Sequence, residues 1–315
     1  MSNTDNPRIM ARVFAPASVA NLGLGFDVLG LALEQPGDIV TASKTSGNGV
    51  VISKITGDNG RLPGTATENT ASIAATATLK KAGLEGKGVE LVLEKGLPIG
   101  SGLGSSAASA AAAAVAVNEL FGRPLKLRDL LLPCVEAEEA VSGRHADNVA
   151  ASLLGGLVLV RSVDPIDCIR LPVPRDLSVV VVVPSLELST RTARKVVPRQ
   201  VEMKQFVANT ANLAALVSAL HSGDLGLLAR CLPDQVVTPA RERLIPGCAQ
   251  VMDAALDAGA LSASISGAGP SLFALACSKV VASEVALAME SSFMDHGVQS
   301  RAFVSPVDCP GARLL

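Results

Sequence analysis

Twelve residues in the first half of the chain, Pro98-Ile99-Gly100-Ser101-Gly102-Leu103-Gly104-Ser105-Ser106-Ala107-Ala108-Ser109, run straight into an alanine-rich stretch that ends near Val117. Three glycines and four serines let this backbone turn tightly and come close to a ligand. The alanine and valine that follow suit a helix packed closely on all sides. A glycine-rich turn at the start of such a helix aims free N–H groups and the positive end of the helix dipole at one point, so it is an anion site and the expected ligand is a phosphate. The string is not the Walker pattern, because no Gly-Lys-Ser/Thr follows, and its glycine spacing is not that of a dinucleotide fold. Taken alone, it could also be a loop before a buried helix with no ligand.

Three other strings concentrate polar and turn-forming residues. In Pro16-Ala17-Ser18-Val19-Ala20-Asn21-Leu22-Gly23-Leu24-Gly25-Phe26-Asp27-Val28-Leu29-Gly30, two glycines permit a sharp bend flanked by Asn21 and Asp27. A carboxylate held there would bind an ammonium or hydroxyl group, or else cap its own turn. The run Glu136-Ala137-Glu138-Glu139-Ala140-Val141-Ser142-Gly143-Arg144-His145-Ala146-Asp147-Asn148 ends an acidic helix and enters a polar turn. A carboxylate facing the phosphate loop from this helix would complete a Mg²⁺ site, since Mg²⁺ takes hard oxygen ligands together with substrate phosphates. Ser264-Ile265-Ser266-Gly267-Ala268-Gly269-Pro270-Ser271-Leu272-Phe273-Ala274 is a further glycine turn between strand-like runs.

The elements that must position these strings alternate along the chain. Strands are predicted over 12–19, 39–43, 49–55, 89–94, 153–160 and 177–183, near 263, and over 271–277 and 299–304. Helices are predicted over 69–82, through the alanine run, and over 127–142, 200–220, 224–230, 248–258 and 283–292, with Asn69 or Thr70 capping the first and Gly83 just past its end. Strands and helices mix without strict βαβ order, which predicts an α+β fold. At 315 residues two domains are expected, with the junction at Gly155 and Gly156, giving 1–155 and 156–315.

Composition narrows the function. Hydrophobic residues make up 49% of the chain, with seven Phe and no Trp or Tyr, and the net charge is −2. Bases would find few stacking platforms and no basic footprint, so nucleic acid is not an expected partner. The longest small or apolar stretch, 107–117, falls well short of the roughly 18 residues needed to cross a bilayer. The polar start, Met1 to Arg12, reads as neither signal peptide nor anchor, so no membrane association and a cytoplasmic location are expected. Cys134, Cys168, Cys231, Cys248, Cys277 and Cys309 form no CxxC pair and read as reduced thiols. His145, His221 and His296 are too dispersed for a metal cluster.

Taken together and in this order, the four strings resemble the GHMP small-molecule kinases. The glycine loop is similar to that family's phosphate loop, and Ser266-Gly267-Ala268-Gly269-Pro270-Ser271 to its C-terminal motif. The opening string, the run from Ser142 to Gly156, the segments 189–198, 239–247 and 311–315 resemble the branch that acts on homoserine, and this likeness covers nearly the whole chain. The resemblance implies a two-domain α+β fold with a ribosomal-S5-like N-terminal domain, which binds ATP, and a ferredoxin-like C-terminal GHMP domain. It also implies ATP-dependent phosphorylation of the side-chain hydroxyl of L-homoserine to O-phospho-L-homoserine, a step toward threonine.

Carried over position by position, the likeness places substrate contacts on Asn21, Asp27, Asn148, Arg194 and Arg241. Asp27 would meet the ammonium, and the two arginines would grip the carboxylate; Arg191, one helical turn before Arg194, competes for that role. ATP would lie along Pro98, Ile99, Gly100, Ser101, Gly102, Leu103, Gly104, Ser105, Ser106, Ala107 and Ala108, with Asn69 and Thr70 near the adenine. Mg²⁺ would fall to Ser105, Ser106 and Glu139, with Glu138 as the alternative by one residue of register. At the catalytic position, where several relatives present an aspartate, Asn148 is an amide that cannot accept a proton at neutral pH, so it would only orient the hydroxyl. Asp147 would hold the turn, or else serve as the base. Leu24 departs from the proline common in that branch without removing a chemical group. The expected partner is the small-molecule substrate, and a homodimer is left open.

Overall fold

A computed structural model describes residues 9–315; the polar stretch 1–8, discussed above as neither signal nor anchor, lies outside them. The first half of the chain builds β1 (Met10–Ala20), β2 (Leu29–Thr45), β3 (Gly49–Thr56), α1 (Thr70–Lys81), β4 (Gly88–Glu94) and α2 (Ser105–Leu120). A 3-10 turn (Leu127–Leu130), α3 (Leu131–Glu139), α4 (Asp147–Leu154), β5 (Leu157–Val163) and β6 (Ile166–Leu171) follow. Next come β7 (Ser178–Pro184), α5 (Thr190–Lys195), α6 (Met203–Ser222), α7 (Leu225–Cys231), α8 (Val237–Glu242) and α9 (Cys248–Asp257). The chain closes with β8 (Ser262–Ile265), β9 (Leu272–Ala276), α10 (Lys279–Asp295), β10 (Ser300–Pro306) and β11 (Arg313–Leu314).

Two sheets organise these elements. The first runs β11-β1-β2-β4-β3, with β5 pairing both β2 and β6. The second runs β10-β7-β9-β8. All pairs are antiparallel except β3 with β4. The long β2 serves two partners: Ile39–Thr45 pairs with β4 and Leu29–Leu31 with β5. Because β5, β6 and β11 all belong to the first sheet, the sheets divide between β6 and β7, and the junction expected at 155/156 lies inside the first sheet's body. Gly155 and Gly156 adopt φ of 77° and 63° to turn α4 into β5, and a Cβ on Gly155 would stand 2.4 Å from the Gly311 amide nitrogen.

That turn also corrects the strand expected over 153–160. Leu153 and Leu154 finish α4, while the strand begins at Leu157. An apolar run on both sides of two glycines carries no period that separates helix from strand. The helix expected over 127–142 is likewise a 3-10 turn followed by a shorter α3. The capping expectation at α1 is met: Asn69 Oδ1 accepts the Ala71 amide at 3.0 Å, and Gly83 takes φ 69° beyond the end.

The core explains the composition. Every residue of α2 from Ala107 to Asn118 is buried, because alanine and valine let α1, α3, α4 and the first sheet approach it from all sides. Strand β7 is buried on both faces: Val179 and Val181 join the main core, whereas Val180 and Val182 pack with α9 and α10. Five of the six thiols are buried and Cys277 is partly so. Among the described residues, no helix is long and apolar enough to cross a membrane.

Candidate active site

The glycine loop stands between the two sheets. Gly100, Gly102 and Gly104 take φ of 69°, 81° and 63°, a left-handed run open to glycine. Gly104 caps α2 without a side-chain bond, and the first helical hydrogen bond is donated by Ala108 to the Gly104 carbonyl. The amides of the turn before Ala108 therefore have no partner within the helix and point with its dipole into the cavity. The loop is clamped from outside: Ser266 Oγ donates to the Gly102 carbonyl at 2.8 Å and Ser271 Oγ to that of Ser101 at 2.6 Å. A Cβ on Gly102 would come within 2.7 Å of the Ser266 and Gly269 carbonyls. The turn between β8 and β9 thus does more than join two strands, since it fixes the glycine loop.

Beneath the loop lies a charged cluster to which the sequence reading gave no role. Lys95 Nζ pairs with Asp38 and donates to the Ser105 carbonyl at 3.0 Å and to Ser109 Oγ at 2.8 Å. Asp38 in turn accepts the Gly96 and Leu97 amides at 3.0 and 3.2 Å. Both side chains are buried, and together they tie β2 and the end of β4 to the first turn of α2. Burial holds the Lys95 ammonium below its ordinary pKa, while Asp38 opposes that shift. A lone lysine after a strand carries no sequence signal, because only the fold brings Asp38 to it.

On the opposite wall, Asp27 and Arg194 meet through two hydrogen bonds, Nη1 to Oδ2 at 3.0 Å and Nη2 to Oδ1 at 2.8 Å. Asp27 holds φ 58° and its amide donates to Asn21 Oδ1 at 3.1 Å, so the turn aims the carboxylate. Asn21 Nδ2 donates to the Gly267 carbonyl at 3.0 Å. Arg241 is 2% exposed, donating from Nη1 to the Gly267 carbonyl at 2.6 Å and from Nε to the Ala193 carbonyl at 3.2 Å. Arg194 Nε is buried with no partner. Arg191 also lines the cavity.

The structure separates the two glutamates left open above. Glu138 is buried, and its Oε2 accepts a hydrogen bond from Ser106 Oγ at 2.8 Å, while Oε1 accepts from Ser142 Oγ. Glu139 instead pairs with Arg144 at 2.6 Å, with its side chain 48% exposed, and also lines the cavity. The carboxylate bonded to the start of α2 is Glu138, the alternative left by one residue of register, which follows from the side of α3 that packs on α2. Ser105 Oγ reaches only the Leu97 carbonyl at 3.5 Å. One carboxylate and one hydroxyl, Glu138 and Ser106, form a hard-oxygen pair that fits Mg²⁺, which keeps water and phosphate oxygens for its remaining positions.

Ser18, in the opening string, joins two parts of the site. It donates from Oγ to Asn148 Oδ1 at 2.9 Å, and its amide donates to the Leu103 carbonyl at 3.0 Å. Asn148 is thereby fixed beside the loop. Asp147, the first residue of α4, is buried at the cavity wall, and burial pushes its carboxyl up to about 7, with the Asp27 charge adding to the rise.

Asn21, Asp27, Lys95, Glu138, Asp147, Asn148, Arg194 and Arg241 line one cavity of about 1260 Å³. Of the residues expected at ATP, Ile99, Gly100, Ser101, Gly102, Gly104, Ser105, Ser106 and Asn69 line it. Pro98, Leu103, Ala107 and Ala108 do not: Pro98 faces solvent and the other three side chains belong to the core. Asn69 is occupied at both ends, capping α1 and donating to the Pro63 carbonyl at 3.0 Å, so it shapes the wall through Leu62 and Pro63. Thr70 Oγ1 donates to the Ser106 carbonyl at 3.2 Å.

Known proteins share this arrangement. Residues 69–156 match the GHMP kinases N terminal domain and residues 216–296 the GHMP kinases C terminal. A homoserine kinase of Arabidopsis thaliana is 45% identical over 315 residues, covering 98% of this chain and 85% of its own. One from Chlorobium phaeobacteroides is 42% identical over 314 residues, covering 96% and 98%. The crystal structure of homoserine kinase from Cytophaga hutchinsonii superposes with a TM-score of 0.96 at 45% identity, over 100% of both chains. L. major mevalonate kinase shares the fold, with a TM-score of 0.72 at 18% identity over 98% of this chain and 100% of that one. By sequence along its whole length and by its two-domain α+β architecture, the chain belongs to the homoserine kinase family of the GHMP kinases.

Proposed function

We propose that this chain transfers the γ-phosphoryl group of ATP to the side-chain hydroxyl of L-homoserine, giving O-phospho-L-homoserine for threonine synthesis in the cytoplasm. The observation that carries the reading is a single cavity with a phosphate loop on one wall and the Asp27–Arg194 pair beside Arg241 on the other. Homoserine brings an ammonium, a carboxylate and a primary hydroxyl. Its ammonium matches Asp27, and its carboxylate matches Arg194 and Arg241, whose fork-shaped donors suit a carboxylate. The unpartnered Arg194 Nε is a buried donor awaiting an acceptor.

Phosphoryl transfer passes through a loose transition state, so positioning and charge neutralisation supply most of the rate. The α2 amides hold the phosphates, and the lysine–aspartate pair beneath keeps that turn in place. Glu138 and Ser106 would hold Mg²⁺, which neutralises charge on the phosphate oxygens. Asn148, held by Ser18, orients the substrate hydroxyl, whose proton passes to the phosphate. A second reading makes Asp147 the base, favoured by its place on the wall and a carboxyl that titrates near 7.

ADP release measured over a panel of amino-alcohols and hydroxy acids tests the function. Turnover is expected with L-homoserine and absent with mevalonate or galactose. Equal ADP release with and without homoserine would overturn it.

A further inference from the structure

The chain is poor in aromatic residues, and two of its seven Phe side chains, Phe273 and Phe293, are among the largest fully buried groups. Phe26 differs, being only half-buried and lining the cavity. The guanidinium carbons of Arg194 and Arg241 lie over its ring, 5.2 and 5.3 Å from the centroid. These arginines come from separate helices, α5 and α8, while Phe26 comes from the turn after β1. A single ring therefore lies within cation–π distance of both cations that the carboxylate requires.

Bringing two guanidinium groups together raises their energy, and burial compounds it. The Arg241 guanidinium is held below its ordinary pKa first by burial and then by the nearby Arg194 charge. Asp27 pairs directly with Arg194, and its charge, with those of Asp234 and Asp147, opposes part of the shift at Arg241. An aromatic ring, electron-rich over its faces, attracts cations, and Phe26 adds that attraction for both arginines to the hydrogen bonds that Asp27 and the backbone carbonyls supply. A leucine of similar bulk would fill the space without that attraction. The turn that gives Asp27 its left-handed φ also sets the direction of the adjacent Phe26.

We infer that Phe26 is a positioning residue for specificity: its ring holds Arg194 and Arg241 in the register that receives an α-carboxylate, so the enzyme discriminates amino acids from amino-alcohols that lack one. This rests on the reading above in which the two arginines bind the substrate carboxylate.

The test uses two competitive ligands against the full-length enzyme, L-2-aminobutyrate, which has the carboxylate without the hydroxyl, and 3-aminopropan-1-ol, which has the hydroxyl without the carboxylate. In F26L, KM for homoserine and the inhibition constant of L-2-aminobutyrate should each rise about tenfold, the equivalent of about 1.4 kcal/mol. The constant for 3-aminopropan-1-ol and KM for ATP should stay within about twofold, and F26Y, which keeps the ring, should behave as wild type. Pentafluorophenylalanine at position 26 preserves shape while depleting the ring face, so it should reproduce F26L even if F26L folds poorly. An equal rise for both ligands, or no rise in the fluorinated enzyme, overturns the inference. R194A and R241A, run alongside, keep the two readings apart: unchanged homoserine KM in both defeats the carboxylate assignment itself, whatever position 26 does.

Discussion

Asp27 and Arg194 hold each other through two hydrogen bonds, so a zwitterion that enters between them exchanges one ion pair for two. Each pole of this clamp is a lone charge once its partner is removed. Asp27→Asn and Arg241→Ala should therefore weaken homoserine binding by about 2–5 kcal/mol while leaving ATP binding nearly intact. Calorimetry with each ligand checks this, and unchanged homoserine affinity in both variants would refute it. At the acidic wall the two neighbouring glutamates should part company. Glu138→Gln should lower kcat by roughly 10² or more, the scale of a lost charge-stabilising group. Glu139→Gln should leave kcat near wild type, because its carboxylate pairs with Arg144 and makes no bond to the loop serines. Steady-state kinetics of the pair decides, and the reverse order would restore Glu139 as the metal carboxylate.

Asp147 gives a pH dependence with a definite sign. Its folded carboxyl keeps the proton up to about 7, whereas an unfolded aspartate loses it near 3.8. Between these values the folded state binds more protons, so this group's contribution makes stability fall as pH rises from about 4 to about 7, and level off above. Asp147→Asn should remove that slope and melt at a higher temperature than wild type at neutral pH, as thermal melts across the window would show. Under the mechanism above its kcat falls by much less than 10³-fold; a loss of about 10³ or more in a folded enzyme with unchanged substrate affinities would make Asp147 the general base.

The start of α2 is where the elements converge. Gly104 has φ 63°, and a Cβ there would stand 2.3 Å from Ser18 Oγ and 2.7 Å from Asn148 Oδ1. Gly83, past the end of α1, has φ 69° with nothing within 4 Å of an added Cβ. Gly104→Ala and Gly83→Ala share the backbone strain, about 1–3 kcal/mol, but only the first displaces the groups that hold the loop. Gly104→Ala should thus raise KM for ATP and lower kcat, while Gly83→Ala should show only a lower urea midpoint. Equal kinetic effects would mean that the close packing around Gly104 does not govern the site. The hydroxyls of Ser266 and Ser271 hold the same loop from the β8–β9 turn, so a hairpin by pattern is a clamp on the glycine loop by position.

Over the whole molecule, the cavity is walled by the body of the first sheet and by the layer built on β7 to β10, with Arg61 reaching across to Glu187 near its mouth. A ligand that touches both walls stabilises the folded chain as a unit. Either ligand at about 100 times its Kd should add about 2.7 kcal/mol to the unfolding free energy, and the two together should exceed either alone. Differential scanning calorimetry with homoserine, a non-hydrolysable ATP analogue and both together tests this. A shift with the nucleotide but none with homoserine would place the amino acid elsewhere.

Local chemistry made much of this molecule legible in its sequence. The glycine loop before an alanine helix, the Asn69 cap and the Asn21–Asp27 turn depend on residues within a few positions of one another, and their spacing alone dictates backbone shape. The four strings in order likewise identified the GHMP family and its fold. Tertiary structure decided what depends on contacts between distant positions. The change from the first sheet to the second falls after β6, because β5 pairs with β2 and β6 with β5. Glu138 rather than Glu139 faces Ser106, because one residue on a helix changes direction by about 100° and only packing selects the side. Lys95 with Asp38, Ser18 with Asn148, and Phe26 with its two arginines join residues up to 215 positions apart. Such pairings leave no local pattern, since burial and approach exist only once the chain has folded.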